Sequence, residues 1–110
     1  METFNNPIPT RIKAARKLAN ISQKELGIRI GMDISSASSR MNHYEKGRHT
    51  PDIQTLKRMA DELNVPLTYF FCESEITAEL SCIIYKLSEE EQKRLLEKLT
   101  FKTIKNTALN

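Results

Sequence analysis

Residues 22–47 read SQKELGIRIGMDISSASSRMNHYEKG, and the fold turns on how this stretch is parsed. Ser22 followed by Glu25 is the S-x-x-E pattern of a helix start, in which each side chain satisfies the other residue's backbone N–H. Leu26 and Ile30 supply one buried face, and Gly31 ends the helix. Gly27 falls inside it, where glycine costs about 1 kcal/mol against alanine; its position predicts a close approach by another helix. Met32, Asp33 and Ile34 form a linker. Ser35 or Ser36 then caps a second helix that runs to about Lys46 and stops at Gly47. Ala37, Met41 and Tyr44 or Glu45 make its inward side, leaving Ser38, Ser39, Arg40, Asn42 and His43 to point outward.

Working outward from this pair, Ile12, Ala15 and Leu18 predict a helix over about Thr10–Ala19, with Lys13, Arg16 and Lys17 facing water. Asn20 is suited to the left-handed conformation that ends it. Asp52 is a good N-cap for a helix with Ile53, Leu56, Ala60 and Leu63 inside, ended by Asn64. Val65-Pro66 leads to a short helix whose Leu67, Phe70 and Phe71 form the aromatic part of the core. A helix over about Ser74–Leu87 carries Ile76, Leu80, Ile83, Ile84 and Leu87. Ser88 and Glu91 repeat the capping box and open a last helix with Leu95, Leu96 and Leu99. The expected class is therefore all-α, with a flexible lead over 1–9, a helical domain over 10–72, a C-terminal helical hairpin over 73–101 and a frayed tail over 102–110.

Composition agrees with a helical chain: its 110 residues include only three glycines and four prolines, too few for a turn-rich β fold. The formal net charge is +3, and it is unevenly placed. Residues 1–72 carry 11 Lys/Arg against 7 Asp/Glu, whereas 73–110 carry 6 against 7. The basic excess therefore lies with the helix pair, a weak pointer to a polyanionic partner. Without a secretory apolar region or a long apolar run, a cytoplasmic location is expected, with no membrane contact. Cys72 and Cys82 lack a CxxC or a histidine at ligand spacing, so they read as packing thiols and no metal is expected. No cofactor is expected, and no catalytic set can be assembled: there is no Gly-rich phosphate loop, no paired carboxylates and no oriented Cys–His pair.

The outward side of the second helix suits a DNA groove. Serine can contact any base, arginine binds guanine bidentately and asparagine binds adenine in the same way. A bland solvated helix would more often carry Glu, Lys or Ala than this serine-rich face. The preceding helix would cross the DNA backbone and bring Gln23 to a phosphate. Lys46, Arg48, His49 and Thr50 would continue along the phosphates.

Residues 10–71 resemble the helix-turn-helix domain of the phage repressor and Cro family, also called XRE, through RIKAARKLANISQKELGIRIG and NHYEKGRHTPDIQTLKRMADELNVPLTYFF. The resemblance implies five helices, the second and third forming the DNA-reading pair. It implies a phosphate contact at Gln23, base contacts from Ser38, Ser39, Arg40 and His43, and a tight turn at Gly47 meeting a phosphate. Between Gly31 and Tyr44 the chain is longer than the usual spacing by about four residues, roughly one helical turn. Either the reading helix gains a turn or the linker lengthens, which makes Ser35 and Ser36 additional candidates for DNA contact.

The expected function is that of a sequence-specific regulator of transcription, a repressor, binding palindromic double-stranded DNA as a homodimer. The alternative is an antitoxin or other protein-interaction module on the same fold. The last two helices cannot bury both apolar stripes alone, so they pack on their own domain or on a second copy.

Overall fold

The computed structural model describes residues 4–109, and every described element is helical. Helix α1 spans Ile8–Leu18, α2 Gln23–Arg29, α3 Ala37–Glu45 and α4 Ile53–Leu63. A 3-10 turn over Leu67–Phe71 leads to α5, Glu75–Lys86, and α6, Glu89–Leu109. Ile12, Leu26, Met41, Met59 and Phe70 are the largest fully buried side chains, so the first four helices and the 3-10 turn share one core.

Several ends follow local chemistry. Asn20 and Asn64 adopt positive φ of 58° and 55° where α1 and α4 stop. The Asp52 side chain accepts the Thr55 N–H at the start of α4. Ser22 accepts the Glu25 N–H, but the Glu25 carboxylate pairs with Arg29 instead of reaching back, so only half of that capping box forms. At Ser88 and Glu91 both halves form.

The sequence expectations need correction at six points. First, α1 begins at Ile8, inside the supposed flexible lead. Pro7 and Pro9 occupy positions whose N–H groups have no helical partner, so they open the helix. Ile8 is buried, and Met1–Thr3 lie outside the described residues.

Second, Leu18 is 86% exposed. Leu18 lies on the same side of α1 as the buried Arg11 and Ala15, but it is the last residue of the helix, where no packed element covers it. Third, Arg16 does not face water but is bound to Glu45.

Fourth, Ile53 is 56% exposed, because side chains in a first turn lean past the helix N-terminus. Met59 is buried in its place. Fifth, Phe71 is exposed while Tyr69 and Phe70 are buried. The 3-10 turn stacks every third residue, which aligns Phe70 with Leu67 and turns Phe71 outward.

Sixth, residues 102–109 continue α6 where a frayed tail was expected. No Gly or Pro interrupts them, and Thr103 and Thr107 donate hydroxyl hydrogen bonds to Leu99 O and Thr103 O.

The last two helices are present as an open pair. Ala78 on α5 is buried, Cys82 packs against the core, and Arg11 fastens the start of the helix. The Arg11 guanidinium donates to Cys72 O at 3.0 Å and to Glu75 at 2.9 Å, and lies 5.9 Å from the Tyr69 ring centre. Beyond the Leu87–Ser88 break, Gln92 donates to Ile84 O at 2.7 Å. The rest of α6 lies along no other described helix, and the molecule extends 59 Å along its longest axis.

Candidate nucleic-acid interface

Helices α2 and α3 form the most closely packed pair in the fold, and Gly27 makes that approach possible. A Cβ on Gly27 would stand 2.8 Å from Ala37 Cβ and 3.1 Å from Ala37 O. The expected close approach is therefore real, and the helix it admits is α3. The added residues lengthen the linker, since α3 starts only at Ala37. Gly31 turns with φ 97°, and Met32, buried, donates its N–H to Gly27 O at 2.9 Å. Asp33 then organises the turn. Its carboxylate accepts the Ser35 N–H and hydroxyl, both at 3.0 Å, and its carbonyl accepts the Ser36 and Ala37 N–H groups.

A buried ion pair holds α3 in place. Arg16 Nε and Nη2 donate to the two Glu45 carboxylate oxygens at 2.6 and 2.9 Å, and Arg16 Nη1 donates to Ile21 O. The Glu45 side chain is 2% exposed. Its hydrogen bonds and charge raise the Arg16 pKa further above its ordinary value. Gln23 Nε2 adds bonds to Glu45 Oε1 at 3.1 Å and Asn42 Oδ1 at 3.2 Å. Five residues thus link α1, the loop after it, α2 and α3. Sequence reasoning missed the Arg16–Glu45 pair; the inward position of Glu45 was the only hint that a cation had to meet it.

The predicted DNA-facing residues divide by what they do within the protein. Ser38, Ser39 and Arg40 are exposed on the first turn of α3, with Ser39 also donating to Ser36 O. Ser35 is exposed and Ser36 half-buried, both tied into the Asp33 turn. Gln23 and Asn42 are half-buried and bonded to each other, so both amide protons of Gln23 clamp the helices together. His43 is half-buried, and the exposed His49 meets it edge-on with ring centres 5.1 Å apart. Lys46, Arg48 and Thr50 are exposed after α3. Gly47 makes that bend with φ 75°, a conformation unfavourable for L side chains. Arg40, Lys46 and Arg48 take part in no ion pair among the described residues.

This two-helix arrangement can be set beside known proteins. Residues 12–70 match the helix-turn-helix family model. The chain belongs to the XRE-type helix-turn-helix family. It is a DNA-binding regulator of transcription. The crystal structure of transcriptional regulator BswR resembles this helix-turn-helix protein with a TM-score of 0.79 at 43% identity. That match covers 84% of this chain and 92% of the other, so it extends beyond the helix-turn-helix residues. No curated protein matches the chain significantly. No helix of this helix-turn-helix protein, among the described residues, is long and apolar enough to cross a membrane.

Proposed function

We propose that this regulator is a repressor that binds a palindromic operator as a homodimer, with α3 of each protomer in the major groove. The observation that carries this reading is the outer surface of α3. Ser38, Ser39 and Arg40 stand exposed at its start, while the buried Arg16–Glu45 pair fixes the helix from behind. Short hydroxyls allow close approach to base edges, and the Arg40 guanidinium can bind guanine through two hydrogen bonds. Ser35, Ser36, Asn42 and His43 border that surface. Lys46, Arg48, His49 and Thr50 extend it along the phosphates, and Gln23 keeps α2 in register with α3.

The dimer reading rests on the opposite end of the chain. Ile76, Leu80, Ile83, Ile84, Leu96 and Leu99 are exposed on α5 and α6. A run of large apolar side chains this extensive is characteristic of a surface that another protein covers. A second copy would cover it and supply the second reading head that a palindrome needs. Occupancy of a promoter by such a dimer blocks transcription, and a protein with this role works in the cytoplasm beside the DNA.

A mobility-shift titration tests the reading. The wild type is expected to retard duplex DNA at low salt. Arg40→Ala is expected to lose about 10- to 100-fold on the preferred site, the range for one bidentate base contact. Equal binding of every duplex by both proteins would contradict base reading by α3.

A further inference from the structure

The linker between α2 and α3 presents one side chain that the candidate interface does not use. Ile34 is 65% exposed at the tip of the turn, three residues before the first helical residue of α3. Its backbone is held on both sides. Met32 is buried before it, and Asp33 binds Ser35, Ser36 and Ala37 across it. An exposed aliphatic residue is ordinary on a protein surface, but this one is fixed beside the start of the reading helix. The outer surface of that helix is otherwise polar: Ser38, Ser39, Arg40, Asn42 and His43 offer hydrogen bonds and no aliphatic contact. Among the four bases, only thymine presents a methyl group in the major groove.

We infer that Ile34 is a specificity-determining residue that packs against a thymine C5-methyl group at the edge of each half-site. The inference rests on the DNA-reading role proposed above for α3. The longer linker thereby gains a purpose, since its turn carries an apolar contact into the groove ahead of the polar ones. Because the Asp33 bonds already order the turn, little conformational freedom is lost on contact.

The test starts from a duplex recovered from a random pool by the intact protein. Each thymine is replaced singly by deoxyuridine, which removes only the methyl group. One thymine per half-site is expected to be sensitive, with affinity falling about fourfold, the effect of burying one methyl-sized group. Ile34→Ala, which removes the contact from both protomers, is expected to bind the thymine duplex as weakly as the wild type binds a duplex with both sensitive thymines replaced, and to bind thymine and deoxyuridine duplexes equally. An unchanged thymine preference in Ile34→Ala overturns the inference, as does a recovered site with no sensitive thymine. In both of those cases Arg40→Ala still loses affinity if α3 reads the site. Failure to recover any duplex instead removes the DNA-reading proposal, and this inference with it.

Discussion

Glu45 lies where α1, α2 and α3 meet, and its carboxylate is held by Arg16 and Gln23. Removing one partner of a buried pair leaves an uncompensated charge, at a cost of about 3–5 kcal/mol. Glu45→Ala is therefore expected to lower unfolding stability by about 3 kcal/mol in urea denaturation, whereas truncating the exposed Lys13 should change it little. Gly27→Ala sets a helix-propensity gain of about 1 kcal/mol against a 2.8 Å contact with Ala37 Cβ. The Ala37 Cβ and carbonyl oxygen are fixed to the α3 backbone and cannot swing aside, so the contact dominates and a net loss of about 1–2 kcal/mol is expected in the same measurement. These two positions differ in how far the sequence revealed them. Glycine at 27 carries its own signature, because a mid-helix glycine needs a reason. Arg16 and Glu45 lie 29 residues apart, and a pairing at that separation leaves no local pattern. Ile12-to-Leu18 spacing misled in the opposite direction, since Leu18 shares the buried side of α1 but ends the helix where no packed element covers it.

At the scale of elements, capping chemistry made most helix starts legible. Ser22, Asp52, Ser74 and Ser88 each accept a backbone N–H three residues ahead. These caps also give acid stability a direction. The Thr55 N–H holds the Asp52 carboxyl below the ordinary aspartate range, and the Ser35 and Ser88 N–H groups do the same for Asp33 and Glu91. A carboxyl with a depressed folded-state pKa contributes stability that is fully present above its unfolded value, about 3.9 for aspartate. That contribution is lost as pH falls through the lower folded value. The melting temperature is thus expected to fall as pH is lowered below about 4. Asp52→Asn, which can still cap without a charge, is expected to reduce that dependence; an identical pH profile would show that the Asp52 charge contributes nothing. Helix ends were less legible than starts. The linker after Gly31 could have been an extra turn of α3; instead α3 starts at Ala37, with Asp33 bonding Ser35, Ser36 and Ala37 in a separate turn. The C-terminal extent of α6 was missed because residues 102–109 contain no stop signal yet also no strong apolar periodicity.

Across the whole molecule, the two ends have different surfaces. The end around α3 is polar and basic, and the far end is apolar along α5 and α6. The sequence made this division visible, through the charge excess before residue 73 and the apolar stripes after it. It could not show that α6 opens away from α5, because that depends on the backbone angle at Leu87–Ser88. Placing two charges on the open helix, as Leu96→Glu with Leu99→Glu, is expected to give a monomer by light scattering. The same variant is expected to bind a two-half-site duplex about 100-fold more weakly, the scale of a lost bivalent contact. A mass unchanged from the wild type would remove these positions from the dimer surface. If the α3 end contacts phosphates as proposed, log affinity is expected to fall against log salt with a slope of about −0.9 per phosphate contacted. Lys46→Ala and Arg48→Ala should each reduce that slope by about one on every sequence, unlike Arg40→Ala, which changes the sequence preferred. The most direct measurement of the central claim is selection from a random duplex pool by the wild type and by Arg40→Ala in parallel. The account predicts that the wild type recovers a palindrome with half-sites about one DNA turn apart, and that Arg40→Ala loses the preference at one position in each half. Recovery of no motif, or of the same motif by both proteins, would contradict it.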